Sequence, residues 1–158
     1  MKNTFKRSSA ALISLVLLLV LAVSAGAASS QNVGVKFWKE RSDKESMANS
    51  GIDPDRTATL TRQANGTYTL TLPVMQVSKL GVTGYLSGLT IGDVTYNGTL
   101  TGDFNKATAV LTIKNLPASV LTGSDVNKSV LVTCNIQMDL QVLGEINTSA
   151  RMCIWNQK

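Results

Sequence analysis

Five methionines, two cysteines and no histidine set the chemistry open to this 158-residue chain. Without histidine there is no imidazole base, no Ser-His or Cys-His pair and no imidazole metal ligand. GxSxG, GxGxxG, P-loop and CxxC patterns are missing too, so nucleophilic catalysis and phosphate cradling lack their usual residues. What remains is sulfur. Met47 stands in Ser46-Met47-Ala48-Asn49, inside the polar connection Lys39–Pro54. Methionine mostly fills gaps in cores, yet its soft thioether also ligates Cu(I) or haem iron. Met138 is the second candidate, far along the chain, although sharing a face with Ile136 and Leu140 suits an ordinary core position equally. Ser46 precedes a short helical turn, where serine serves as an N-cap, and its hydroxyl is also a donor for a ligand carboxylate. Met75 and Met152 read as core or groove lining.

The elements that must hold these residues are strands. Apolar residues alternate with small or polar ones at Val33, Val35 and Phe37, and again at Tyr68, Leu70, Leu72 and Val74. The alternation returns at Ala109, Leu111 and Ile113 and is longest from Val130 through Cys134, Ile136 and Met138 to Val142. Period two is the mark of half-buried strands. Asn65-Gly66 and Asn97-Gly98 are hairpin dipeptides and predict turns there. Gly144-Glu145 predicts another, with Ala150–Trp155 as the last strand. Seven or eight short strands without a useful helix predict an all-β sandwich or barrel. Four Asn-x-Ser/Thr sequons begin at Asn65, Asn97, Asn127 and Asn147, and turn chemistry explains the first two as well as glycosylation does.

Residues 1–27 read as a signal peptide. Lys2, Lys6 and Arg7 form a basic start, Ala10–Val23 is apolar apart from Ser14, and Ala25-Gly26-Ala27 is a small-residue cleavage site. The apolar run falls short of the roughly 20 residues a spanning helix needs. The expectation is therefore one secreted or surface-associated domain, 28–158, with no stable membrane span after cleavage. Removing the leader leaves 12 basic and 10 acidic residues. No basic stretch with interleaved aromatics remains, which argues against nucleic acid as a partner.

Cys134 and Cys153 belong to an exported chain, where an oxidising compartment favours pairing. Register decides the outcome. If Cys134 opposes Cys153, then Arg151 and Trp155 share the face of Met138, and Trp155 helps wall a pocket. If Met138 faces Met152 instead, the two thiols point to opposite sides of the sheet.

Five stretches in order carry a resemblance. They are Lys44-Glu45-Ser46-Met47-Ala48-Asn49, Asn65–Leu72, Gly81-Val82-Thr83-Gly84-Tyr85-Leu86-Ser87-Gly88-Leu89, Val132–Met138 and Ala150-Arg151-Met152-Cys153-Ile154-Trp155. Their order resembles near-iron-transporter (NEAT) domains, especially the NEAT-like haem-binding domains of exported Gram-positive proteins. The resemblance implies an immunoglobulin-like antiparallel β-sandwich over 28–158 and a non-enzymatic, secreted haem-binding protein of haem and iron acquisition or transfer. Its ligand would be haem (heme b), and its partner haemoglobin or another haem-transfer protein. Many members ligate iron through Tyr-x-x-x-Tyr on the last strand, but Gly144–Lys158 holds no tyrosine. A minority of related proteins use two methionines, and Met47 and Met138 match those positions. The implied cofactor-binding set is Ser46, Met47, Tyr85, Met138, Met152 and Trp155, with Met47 and Met138 as the metal ligands. Lys44, Lys79 and Arg151 are available to pair with propionates. Two other readings stand beside this one. One is a protein-binding module with a degenerate haem groove. The other is a Cu(I) site formed by Met47, Met138 and a thiolate.

Overall fold

The computed structural model describes residues 28–79, 81–139 and 144–157, and the leader read over 1–27 lies outside them. Nine strands account for most of the described chain. They are β1 (Ser29–Lys39), β2 (Ala58–Arg62), β3 (Tyr68–Pro73), β4 (Val77–Lys79), β5 (Val82–Ile91), β6 (Val94–Thr101), β7 (Val110–Leu116), β8 (Val130–Met138) and β9 (Glu145–Asn156). Every pairing is antiparallel. Among the described residues, helical structure is confined to short 3-10 turns, the longest being Met47–Gly51.

The expected all-β sandwich or barrel takes a closed form. The order β5-β6-β7-β3-β2-β1-β9-β8 returns to β5, so a single sheet closes on itself as a barrel-like sandwich. Closure depends on β5, which pairs with β8 along one edge and with β4 and then β6 along the other. The β5–β8 register shifts between Leu86 and Gly88, and such a bulge bends a strand and increases its twist. Closure also removes most free strand edges.

The core is the inward stripe of these strands. Phe37, Leu60, Leu70, Leu72, Leu89, Leu111, Ile113, Leu116, Met152 and Ile154 are all fully buried. Threonines at 59, 61, 69 and 71 occupy the alternate positions of β2 and β3, as period two requires.

The two Asn-Gly dipeptides behave differently. Asn65-Gly66 lies in the β2–β3 hairpin as expected. Gly66 has φ +83°, and the Asn65 side chain accepts the Thr67 backbone N–H at 3.0 Å. Asn97-Gly98 is not a turn. It lies inside β6, and the chain reverses instead at Gly92-Asp93, between the paired Ile91 and Val94. Gly92 supplies the positive φ, +59°. Gly98 serves packing: a Cβ there would come within 2.4 Å of Leu111 Cδ1.

Candidate ligand-binding groove

An apolar groove opens at one end of the barrel. Its lining includes Met47, Ala48 and Gly51 from the 3-10 turn, Val77 and Val82, Gly84 and Leu86 of β5, Ile136 and Met138 of β8, and Ile146 of β9. Its volume is about 160 Å³. Gly84 pairs with Met138 and Leu86 with Ile136. These positions continue the stripe that places Cys134 in the core, so the groove extends the barrel interior at this end. Ile136 and Met138 are half-buried there, and Met47 is 59% exposed.

The Ser46–Asn49 segment is built to present Met47. The connection after β1 folds back, with the Lys39 N–H donating to Lys44 O at 2.8 Å and the Ser46 N–H to Phe37 O at 2.9 Å. Ser46 then caps the turn: its Oγ accepts the Ala48 N–H at 3.3 Å, the ordinary role of an N-cap serine. Asn49 fixes the turn to β1. Its Oδ1 accepts the Phe37 N–H at 2.8 Å, and its Nδ2 donates to Phe37 O at 2.7 Å. The far end is held where the Met75 N–H donates to Gly51 O at 2.9 Å. Between these anchors Met47 and Ala48 meet the groove.

Met138 is positioned by Gly84. A Cβ at Gly84 would lie 2.8 Å from Met138 Sδ and 3.0 Å from Gln137 O. No L residue with a side chain fits there unless the sulfur moves. Gly84 has no positive φ, so the reason for glycine here is space.

The structure brings Met47, Met138 and Tyr85 to this groove, with Ser46 capping the turn beside it. The Tyr85 ring packs on Phe104, centroids 5.2 Å apart. Met152 and Trp155 do not reach the groove. Met152 is fully buried, paired with Phe37 and Val130. Trp155 lies over Gly34, where a Cβ would meet the indole at 2.3 Å, and it walls a separate recess with Arg56 and Pro54. Arg151 is committed elsewhere: it donates to Lys39 O at 3.1 Å and Ser42 O at 2.9 Å and pairs with Asp43 at 2.7 Å. Lys44 is exposed, and the Lys79 side chain lies outside the description. The sequence reading missed Asn49, Gly84 and Ile146. The Ser46–Asn49 segment held a clue to the first, since asparagine side chains commonly bond nearby backbone.

Both cysteines are free. Cys134 opposes Thr148 and Cys153 opposes Lys36, so the observed register does not bring them together. Burial pushes the Cys134 thiol up to about 12. Cys153 lies beneath the 117–129 connection and donates to Asp125 O at 3.6 Å. Neither cysteine lines the groove, which removes the thiolate from the Cu(I) reading. Among the described residues no cluster of His, Cys, Asp or Glu could hold a metal, and no helix is long and apolar enough to cross a membrane.

No sequence-family profile matches the chain, and no curated protein matches it. Solved structures do. The NEAT5 domain of IsdX2, a B. anthracis hemophore, in complex with heme superposes with a TM-score of 0.53 at 10% identity, covering 84% of this chain and 99% of that one. A point mutant of the same IsdX2-NEAT5 domain, also in complex with heme, gives the same score and identity over 84% of this chain and 98% of that one. The barrel-like sandwich of this chain is therefore the fold of NEAT domains.

Proposed function

We propose that this protein is a secreted, non-enzymatic haem-binding protein that takes up, holds or passes haem in iron acquisition. The observation that carries the reading is the groove: almost wholly apolar, on the fold of heme-binding NEAT domains, with thioethers from Met47 and Met138 in its lining. The residues fit a haem cargo. Apolar walls suit the flat macrocycle, and thioethers are known axial donors. Histidine is absent from the chain, and Met47 and Met138 are the sulfur donors in this lining. Two neutral soft donors favour ferrous over ferric iron, because they do not offset the extra charge. The chain's own part is to present these sulfurs on a clipped turn and a paired strand, and to exclude water from one edge of the ligand. A groove of about 160 Å³ is smaller than the roughly 300–1,000 Å³ of pockets that engulf small molecules. It would hold an edge and leave the remainder in solvent, an arrangement suited to handing haem on.

The test is an absorption spectrum of the purified protein with added haem. A sharp Soret band with low-spin features is expected. Free-haem absorbance alone would refute the reading. The protein-binding alternative, in which the small groove and its exposed rim of Met47 and Ile146 contact haemoglobin or another surface partner, would then replace it. Export, proposed from the leader, predicts that N-terminal sequencing of secreted material begins at or near Ala28. Recovery only of the intact Met1 form from cytoplasm would exclude it.

A further inference from the structure

The two groove thioethers are unequal, and the inequality has a chemical consequence. Met138 is half-buried on a paired strand, its sulfur seated against Gly84. Met47 is 59% exposed on the rim, Met75 is 37% exposed outside the groove, and Met152 is fully buried. Oxidant access to a thioether follows exposure. The turn carrying Met47 is fixed to β1 through both polar atoms of Asn49 and to the β3–β4 connection through Gly51. It therefore keeps Met47 at the groove whatever happens to its sulfur.

We propose that Met47 is a modification site for peroxides, and that its oxidation to the sulfoxide releases the ligand of the groove. This rests on the haem-binding reading above. In the reaction a sulfur lone pair of Met47 attacks one peroxide oxygen and the O–O bond breaks. The departing hydroxide takes the proton from the oxygen now on sulfur, which leaves the sulfoxide and water. Sulfur is oxidised by two electrons and hydrogen peroxide is reduced by two. The product sets a polar S=O dipole at the rim of an apolar groove and removes the soft thioether donor. An oxygen dipole facing an apolar ligand is penalised by desolvation. Iron porphyrin and peroxide generate damaging oxidants when they meet, so a site that unloads on peroxide exposure limits that encounter.

The purified ligand-free protein is treated with increasing hydrogen peroxide, and sulfoxide at Met47, Met75, Met138 and Met152 is measured by peptide mass mapping. Met47 should oxidise first and Met152 last. Equal rates at Met47 and Met138, or Met75 ahead of Met47, overturn the site assignment. Protein oxidised at Met47 alone is then titrated with haem and, separately, with metal-free protoporphyrin. Haem binding should weaken on the order of tenfold or more, and porphyrin binding by less, because porphyrin loses no axial donor. Met47→Leu keeps an apolar rim without an oxidisable sulfur, so its residual porphyrin binding should be indifferent to peroxide. Unchanged haem affinity after Met47 oxidation overturns the release step. Untreated protein that binds neither probe refutes both the haem reading and the release step, while the mapping still decides the modification site.

Discussion

The proposed haem site comes down to how three residues are held. Met47 and Met138 supply soft sulfur and Gly84 makes room for one of them. Met47→Ala and Met138→Ala should each alter the bound haem spectrum and weaken binding by roughly tenfold, about 1.4 kcal/mol, and the double variant should lose the low-spin form. Parental spectra in both single variants would make the two residues packing only. Gly84→Ala is the subtler probe. Its Cβ collides with Met138 Sδ at 2.8 Å, so the sulfur must shift while the strand pairing survives. A folded protein with a changed haem spectrum, destabilised by about 1–3 kcal/mol from overpacking, is expected. An unchanged spectrum would show that the sulfur position is unimportant. A second buried arrangement concerns acid stability. Asp53, 6% exposed, receives the Arg56 Nε–H at 2.7 Å, and Arg56 donates to Ala109 O at 2.6 Å. The Arg56 hydrogen bond, opposed by burial and assisted by the Asp55 N–H, holds the Asp53 carboxyl below its ordinary 3.8. A depressed native pKa means that the unfolded chain binds the proton more readily. The contribution is therefore present above about pH 4 and is lost as pH falls toward the native value. Asp53→Asn should flatten the fall in stability below about pH 4, as read by urea melts. An equally steep fall would assign the acid sensitivity to other carboxylates.

At the scale of elements, the turn Met47–Gly51 does the positioning, and Asn49 is its fastener. Asn49→Ala removes two hydrogen bonds to Phe37 backbone. Phe37 O keeps the Ser46 N–H, but leaving the buried Phe37 N–H unpaired should cost about 1–3 kcal/mol and weaken haem binding along with stability. Asn49→Asp should restore the bond from the Phe37 N–H but not the one to Phe37 O. An Asn49→Ala variant as stable and as tight as the parent would dismiss the clip. Much of this architecture was legible in the chain. Alternation located β3, β7 and β8 because each buries one face, and Asn65-Gly66 marked a true hairpin because its glycine takes a positive φ. Asn97-Gly98 misled because the same dipeptide suits a strand that needs a missing side chain, here to admit Leu111. The β4–β5 region shows no clean alternation in the sequence because Gly84 and Gly88 serve close approach and the bulge after Leu86 breaks the period. Met47 and Met138 were legible as candidates from residue type and order. Met152 and Trp155 were not separable from them, since which end of the barrel a strand residue reaches depends on register, which alternation leaves open.

At the scale of the whole molecule, closure replaces covalent stapling. The sheet returns from β8 to β5, and one core cluster runs from Val33 to Ile154. A domain of this size can be stable on its core alone, and here the two cysteines add nothing covalent. Cys134 belongs to the core, with its thiol held protonated by burial. Cys153 is on the other side of the sheet, covered where the Thr122 and Gly123 N–H groups both donate to Ile154 O at 3.0 Å. A disulfide closing a loop of this length would contribute about 3 kcal/mol, and its reduction would lower Tm by about 10 °C in a domain of this size. The expected result is different. Thermal melts with and without dithiothreitol should coincide. A thiol reagent should find no reactive group in the native protein and two after denaturation. A large fall in Tm on reduction, or fewer than two thiols in the denatured chain, would mean that β9 pairs in another register. That register would carry Trp155 to the face of Met138 and rebuild the groove around an indole wall.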